Sequence, residues 1–306
     1  MNISVVLCTY NRAESLRRTL CSLSAMRVPA NLQWEVLVVD NNSADHTRDV
    51  TEMAGGQLPC RYLFEGRQGK SFALNTAIPQ ARGEIVAFTD DDVQLDRGWL
   101  VEIKRAFELF DCIGIGGKII PVWNCEKPRW LEEEGPYKLA AAIVRLDLGE
   151  EACELQQPAF GANMAFRRTA FEKYGLFKEN LGPNPQNMIR GEDSEFSWRV
   201  IQGGEKLMYG PRVVVYHPVD EKRTTKKYFV SWYFNYGRAL VRANGVPLQA
   251  IRYFGVPRYL FRQFGKEFLK WTCCLQSKRR FYYKLQVSFN AGAIVESRAR
   301  SISSKL

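Results

Sequence analysis

Three consecutive carboxylates are the first side chains in this sequence whose spacing could do chemistry. Asp90, Asp91 and Asp92 follow an apolar run at residues 85–89 that is typical of a buried strand. Neighbouring like charges repel, so a strand end that carries three of them needs a counter-charge. A divalent cation, Mg2+ or Mn2+, supplies that charge through oxygen ligands and commonly brings a phosphate with it. A solvated acidic turn is the alternative for this run taken alone.

An acidic pair and a histidine complete the set of candidate reactive groups. Glu192 and Asp193 open a helical pattern that continues through Val200, and a carboxylate there could take the proton of an acceptor hydroxyl. Acidic residues also favour helix N-termini through the macrodipole, which is the structural alternative. His217 follows a short β-branched run and is expected to end a strand, either as a metal ligand or as a structural side chain.

The elements that would position these groups alternate along the first part of the chain. Apolar runs predict four strands, and a helical pattern follows each of them, with the strands at residues 3–8, 34–39, 61–64 and 84–89 and the last two helices at 69–81 and 97–110. Asp45 and Ser71 are expected to cap helices. This alternation is typical of a doubly wound, mostly parallel α/β sheet, which binds ligands at the carboxyl ends of its strands.

The alternation loosens after residue 120. Loops with several prolines are expected at 121–160, and further strands at 160–166 and 213–216. We expect a catalytic domain at 1–221, in which residues 1–120 bind a nucleotide and residues 121–221 bind an acceptor. A helical C-terminal region is expected at 222–306.

Positive charge and aromatic side chains concentrate in residues 222–306. This region has 18 Lys and Arg against only Glu267 and Glu296, whereas the first 221 residues have a net charge of −6. Seventeen of the chain's 38 aromatic residues also lie there, many at helical spacing. Basic, aromatic helices commonly lie on anionic membranes, so we expect peripheral membrane contact. Packing of the aromatic residues on the catalytic domain is the alternative.

Cysteine use and hydropathy favour a cytoplasmic protein. The eight cysteines include no CxxC pair, which indicates reduced thiols rather than a zinc site. The sequence opens without a signal-peptide pattern, and no segment approaches the roughly 20 apolar residues that span a bilayer. A position at the inner face of the membrane is therefore expected.

Six segments, in the same order along the chain, resemble the inverting family 2 glycosyltransferases, which have the GT-A fold. They are VVLCTYNR at 5–12, VLVVDNNSADHT at 36–47, GKSFALNTAI at 69–78, IVAFTDDDV at 85–93, GANMAFRR at 161–168 and RGEDSEFSWR at 190–199. The resemblance implies metal-dependent transfer of a sugar from a nucleotide-diphosphate sugar, with UDP favoured by family frequency. The acceptor would be a hydroxyl of a saccharide or lipid-linked molecule. Processive members carry a QxxRW motif and transmembrane helices; this sequence has neither, so transfer of a single sugar is expected.

The resemblance also implies roles for individual residues. Asp193 would be the general base, with Glu192 orienting the acceptor, and Asp92 and His217 would bind the metal. The nucleotide sugar would contact nine side chains: Thr9, Asn11, Arg12, Asp40, Asn42, Lys70, Asn75, Asp90 and Asp91. The donor sugar or the acceptor would contact Gly161, Asn163 and Trp198. Two further positions bear on the donor: Arg67 could join Lys70 at the diphosphate, and Leu74 stands where many relatives have an arginine.

Two other functions remain open from the sequence. A nucleotidyltransferase of similar topology would usually carry a glycine-rich loop after the first strand, but CTYNR contains no glycine. A membrane-binding or nucleic-acid-binding module would bind its partner through residues 222–306, and Asp193 would then have no function. We expect a glycosyltransferase with Mn2+ or Mg2+ as its cofactor and no nucleic-acid partner.

Overall fold

The structure, a computed structural model, describes residues 2–186, 188–247 and 249–303. Within the described residues, nine strands form one mixed sheet: β1 (Ile3–Thr9), β2 (Trp34–Asp40), β3 (Cys60–Phe64), β4 (Ile85–Asp90), β5 (Gln94–Leu95), β6 (Gly114–Trp123), β7 (Cys153–Glu154), β8 (Asn163–Arg167) and β9 (Leu207–Val219). Their order is β3-β2-β1-β4-β8-β6-β9-β5, and β7 pairs with β9.

The half of the sheet that contains β3, β2, β1 and β4 is parallel. Its central strands are continuous apolar runs, and Val5 of β1 lies between Val36 and Ala87 without exposure to solvent. Such runs are expected where both faces of a sheet are covered. Strand β8 pairs antiparallel with both β4 and β6. The predicted fold class is confirmed, although the antiparallel strands were not foreseen.

Six helices accompany the sheet in the described part of the chain: α1 (Ala13–Ser24), α2 (Thr47–Ala54), α3 (Lys70–Ala77), α4 (Trp99–Leu109), α5 (Arg168–Tyr174) and α6 (Glu192–Gln202). The prediction that Ser71 caps α3 is wrong, because Ser71 is buried as the second residue of the helix. The cap is Gly69, whose φ of 149° is one that residues with a Cβ rarely adopt. His217 lies within β9 rather than at its end, since β9 continues to Val219.

By packing, the described residues fall into two units. The first comprises those of 2–122, 144–179 and 192–218, and the second those of 123–143, 180–191 and 219–303. The segment 123–143 belongs to the second unit because Leu131 and Ile143 share an apolar cluster with Phe229 and Phe281. The functional division at residue 221 stays a prediction.

The second unit is mainly helical. Its long elements are α7 (Lys226–Asn244), α8 (Arg258–Cys273) and α9 (Ser277–Ser303), and β10 (Arg252–Tyr253) pairs with β11 (Val256–Pro257). Helices α7 and α9 cross with their backbones in contact. A Cβ on Gly237 would overlap the carbonyl oxygen of Phe289, and one on Gly292 would overlap that of Phe234. Among the helices that the structure describes, none combines the length and the apolar composition needed to cross a membrane.

Candidate active site

The register of the parallel strands brings three polar segments to one edge of the sheet. Thr9, the last residue of β1, pairs with Asp40 of β2, and Cys8 pairs with Asp90 of β4. Because the strands are parallel, the loops that follow them open on the same side of the sheet. The residue at which each buried strand ends therefore determines where the polar segment after it lies.

Arg12 neutralises part of the aspartate run. Its guanidinium donates to Asp91 at 2.6 Å and to Asp92 at 2.8 Å. Asp91 is buried and also accepts a hydrogen bond of 2.7 Å from the Thr9 hydroxyl. Two residues predicted to contact the nucleotide, Thr9 and Arg12, thus also fix the aspartate run in place.

Lys70 links the aspartate run to the acidic pair Glu192 and Asp193. Its Nζ donates to Asp90 Oδ1 at 2.7 Å and lies 3.7 Å from Glu192 Oε1. The neighbouring Asp193 accepts a hydrogen bond of 2.7 Å from the backbone N–H of Gly161. A Cβ on Gly161 would lie 3.3 Å from both Lys70 Nζ and Asp193 Oδ2. These five residues therefore lie close together in one part of the site.

Asp90, Asp92 and His217 form a cluster that could hold a divalent cation. One ligand atom from each residue lies within 4.8 Å of the others. Strand pairing explains the position of His217, because Gln94 pairs with Tyr216 and the next residue along β9 faces the aspartate run. His217 Nε2 lies 3.8 Å from Asp92 Oδ1. Carboxylate oxygens and an imidazole nitrogen are a donor set that suits Mn2+. The cluster contains both predicted ligands and adds Asp90.

The side chains of this region carry more negative than positive charge. It contains two cations, Arg12 and Lys70, and five carboxylates. These carboxylates form the acidic cluster: Asp90, Asp91, Asp92, Glu192 and Asp193. Burial raises the pKa of Asp91 to about 7, against the lowering effect of Arg12. Burial and then repulsion from Asp193 raise the pKa of Glu192. Burial, together with repulsion from neighbouring carboxylates, thus disfavours the charged forms of these groups, and a bound divalent cation would favour them.

Residues that the sequence analysis did not single out hold Lys70 in place. The Asn41 amide donates to the backbone carbonyls of Glu65 and Arg67 and accepts from the Gly69 N–H. Glu65 accepts from the backbone and the guanidinium of Arg67, which lowers the pKa of Glu65 to about 2. Arg67 is therefore bound to Glu65 rather than to the acidic cluster. Asn is common in turns and Glu on protein surfaces, so neither residue type indicated this task.

The loops after β1 and β2 are tied together along the rim of the site. Asn11 donates its backbone N–H to the Ser43 hydroxyl, and its side chain accepts from the N–H of Ala44. Asn11 and Asn42 have left-handed φ values of 51° and 68°, which asparagine tolerates better than most residues. Both side chains are exposed and can meet a ligand.

Two aspartates organise the start of the second loop. Asp40 is buried at the end of β2, where it accepts from the N–H of Ser43 and from the Tyr62 hydroxyl. Asp45 accepts from the N–H of Thr47 in the first turn of α2, which agrees with the predicted capping role. It also accepts from the N–H of Ala13 and so caps α1 as well.

Asn163, predicted to contact a sugar, instead holds the sheet together. Its side chain is completely buried, and Oδ1 accepts from the Trp99 indole. Its Nδ2 donates to the backbone carbonyls of Lys118 and Val213. An enclosed amide with these partners cannot reach a ligand in this conformation, so the prediction is corrected.

Asn75 and Trp198 were also predicted to contact a ligand. The amide of Asn75 both donates to and accepts from the backbone of Phe177. Trp198 is exposed on α6, five residues after Asp193. Because helical residues turn by about 100° each, the two side chains point about 140° apart. The structure therefore does not bring Trp198 to the face of α6 that carries Asp193.

The doubly wound sheet, with a candidate cation cluster beside an acidic pair, has the GT-A fold. Two solved structures share the fold. The mannosyltransferase PcManGT from Pyrobaculum calidifontis, in complex with GDP-Man and Mn2+, superposes with a TM-score of 0.58 and 20% identity over 99% of this chain and 74% of that one. S. aureus TarS 1-349 in complex with UDP-GlcNAc gives 0.55 and 17% identity over 98% and 92%.

Sequence comparison places the chain more narrowly. The family model for glycosyl transferase family 2 matches residues 4–175. The chain is 28% identical over 229 residues to a glucosyl-dolichyl phosphate glucuronosyltransferase of Haloferax volcanii, covering 73% of this chain and 71% of that protein. It is 25% identical over 241 residues to the succinoglycan biosynthesis protein ExoM of Rhizobium meliloti, covering 78% and 74%.

The chain belongs to glycosyl transferase family 2. It is therefore a glycosyltransferase that uses a nucleotide-sugar donor, as the sequence motifs predicted. Family membership favours sugar transfer over the nucleotidyltransferase alternative.

Proposed function

We propose that this protein is an inverting, divalent-cation-dependent enzyme that transfers a single sugar from a nucleotide-diphosphate sugar to an acceptor hydroxyl. The observation that carries the proposal is the position of Lys70 between Asp90 of the metal cluster and Glu192 of the acidic pair. One side chain thus connects the cluster that would hold the leaving group with the acidic pair that contains the proposed base.

The leaving-group side is built from the aspartate run. A cation held by Asp90, Asp92 and His217, either Mn2+ or Mg2+, would neutralise charge on the departing diphosphate. Lys70 adds a fixed positive charge beside Asp90, and Arg12 fixes Asp92. The nucleotide contacts that we propose lie at these strand ends, in the loops after them and at the start of α3: Thr9, Asn11, Arg12, Asp40, Asn42, Lys70, Asp90 and Asp91.

Asp193 is the proposed base because its carboxylate is held in a fixed orientation. Oδ2 accepts from the Gly161 N–H, and Oδ1 accepts from the Ser194 N–H at 2.6 Å. Asp193 takes the proton of the acceptor hydroxyl while that oxygen bonds to the anomeric carbon and the bond from carbon to the diphosphate oxygen breaks. Attack from the face opposite the diphosphate inverts the anomeric centre. Glu192 is the proposed acceptor-orienting residue, and Gly161 borders the donor sugar.

The donor base and the acceptor complete the proposal. UDP is the first choice by family frequency, but one structural neighbour holds GDP-Man and another UDP-GlcNAc, so both bases have to be tested. The names of two relatives, one acting on a dolichyl phosphate and one in succinoglycan biosynthesis, support a lipid-linked saccharide acceptor and a role in polysaccharide biosynthesis. Contact of residues 222–306 with the inner face of a membrane belongs to the same proposal.

A panel of nucleotide sugars tests the reaction. The purified protein is incubated with each donor, lipid-linked and free saccharide acceptors, and either Mn2+ or EDTA, and nucleoside diphosphate release is recorded. We expect metal-dependent release with one donor class and an inverted anomeric configuration of the product by NMR. Asp193→Asn should retain donor binding and lose transfer by about 10²-fold or more, since it removes the base.

The matched control is Asp49→Asn, which makes the same change at an exposed position of α2. It should transfer at the wild-type rate. Retained turnover in Asp193→Asn would remove that residue as base, and a product with retained configuration would exclude the single displacement.

A further inference from the structure

An open cleft of about 690 Å³ lies among the helices of the second unit. The first turn of α7, the end of α8 and the start of α9 form it. Its lining combines cations with apolar side chains: Lys226, Lys227, Val230, Trp271, Leu275, Ser277, Arg280, Phe281 and Lys284. All of these residues belong to the second unit.

Among the described residues, the four cations of this cleft have no acidic partner. Lys270 pairs with Glu267 at 2.7 Å elsewhere in the same unit. Across the residues that the structure describes, by contrast, no carboxylate forms an ion pair with Lys226, Lys227, Arg280 or Lys284. Two of the four instead lie over aromatic rings, with Lys226 Nζ 5.4 Å from the Phe281 centroid and Lys284 Nζ 5.8 Å from that of Trp271.

The helix ends add to the positive potential of the cleft. Lys226 and Lys227 stand in the first turn of α7, and Arg280 in the first turn of α9, and neither turn contains an acidic residue. Cations at a helix N-terminus oppose the macrodipole, so these positions are unfavourable for the helices themselves. Their cost is offset when an anion binds between them.

The apolar side of the cleft continues onto exposed surface. Leu275 is 99% exposed, and Leu269 on the outer face of α8 is 64% exposed. Phe268 is partly exposed, and its ring contacts that of Trp271, which lines the cleft. Arg262 and Lys266 are exposed on the same helix. A free phosphate or a nucleic acid would leave Leu269 and Leu275 in water, whereas a lipid would cover them.

We propose that this cleft binds the phosphate headgroup of an anionic membrane lipid while Leu275 and the outer face of α8 enter the bilayer surface. The inference rests on the membrane contact proposed above and names its site and its ligand class. Four cations meet the phosphate, and the adjoining apolar side chains meet the acyl chains. The bilayer would then hold the enzyme where a lipid-linked acceptor is presented.

Vesicle co-sedimentation of the full chain tests the proposal at low salt. Vesicles of phosphatidylcholine are compared with vesicles that also contain phosphatidylglycerol. The wild type should bind only the anionic vesicles. Each cation near a membrane contributes about fivefold to binding, so Arg280→Gln combined with Lys284→Gln should weaken it by about 25-fold. Leu275→Ser should weaken it by about tenfold without a change of charge.

The matched control combines Lys206→Gln with Arg212→Gln, which removes two exposed cations from the first unit. It should bind anionic vesicles within about threefold of the wild type if the lining of the cleft, rather than net charge, determines binding. Equal binding by the wild type and the cleft variant would overturn the inference while leaving membrane contact in place. Tighter binding to RNA than to anionic vesicles would also overturn it.

The outcome is independent of the proposed transfer reaction. Nucleoside diphosphate release with a soluble acceptor should be unchanged in the cleft variant, because neither Arg280 nor Lys284 lies in the acidic cluster. Far-ultraviolet circular dichroism establishes that the cleft variants and the control variant are folded.

Discussion

Gly161 offers the sharpest perturbation of the proposed reaction, because its missing side chain leaves the space between Lys70 and Asp193. A Cβ there would stand 3.3 Å from Lys70 Nζ and from Asp193 Oδ2, closer than the 3.4–4 Å of an ordinary contact. The backbone of Gly161 needs no left-handed conformation, so Gly161→Ala should fold. The two neighbours must move by a few tenths of an ångström.

The expected cost follows from that displacement. A displacement of catalytic groups by about 1 Å lowers the rate about 100-fold. A shift of Lys70 and Asp193 by about half that distance should therefore lower kcat about tenfold. The KM for the donor should rise by a smaller factor, about threefold, because Lys70 is the only one of the proposed nucleotide contacts that the Cβ displaces. Gly161→Val should lose more, on the order of 100-fold.

Steady-state kinetics with the active donor measures this effect. Gly56→Ala is the control, since a Cβ at that exposed position meets only Met53 at 3.6 Å. Wild-type kcat in both Gly161 variants, with a folded protein, would show that Lys70 and Asp193 do not flank the reacting atoms.

Two further predictions concern stability. The pKa of Glu65 is about 2 in the folded chain and 4.5 as an unperturbed group, so its contribution is present above pH 4.5 and is lost as pH falls towards 2. Glu65→Gln should cost about 1.7 kcal/mol at pH 7, which is half of the free energy that the full pKa shift represents because Arg67 is 60% exposed. Urea denaturation should show that this difference in the free energy of unfolding shrinks below about pH 4. Gly237→Ala should lower the melting temperature because a Cβ there overlaps the Phe289 carbonyl, although alanine is favoured over glycine in a helix by about 1 kcal/mol. Gly265→Ala, which places its Cβ in open space on α8, should raise the melting temperature. If Glu65→Gln changed the free energy of unfolding equally at all pH values, the first prediction would be contradicted. If both alanine substitutions raised the melting temperature, the second would be contradicted.

The sequence predicted the parallel half of the sheet because that half depends on local patterns. The runs around Val5, Val36 and Val86 are apolar enough to identify strands, and the polar residues after them mark the ligand-binding edge. Boundaries that depend on a single backbone angle were missed. The start of α3 is set by the φ of Gly69, and a serine two residues later looked like the better cap.

The errors among the site residues have a common cause, which is that long-range partners are invisible in sequence. Asn163 lies beside Gly161 and Ala162 and resembles a ligand-binding amide, but its partner Trp99 comes from a distant helix. The same limit hid Asn41, whose amide holds the loop before Lys70. Lys70 was predicted at the diphosphate, and only the fold reveals that it also reaches Glu192.

The proposed reaction requires that the aspartate run and His217 bind the cation that carries the diphosphate. Electron paramagnetic resonance of Mn2+, titrated with protein in the presence of the nucleoside diphosphate, measures that binding without turnover. We predict that Asp92→Asn weakens Mn2+ binding at least about tenfold, whereas Asp193→Asn binds Mn2+ as the wild type does. Mn2+ binding by Asp92→Asn that equals that of the wild type would contradict the account.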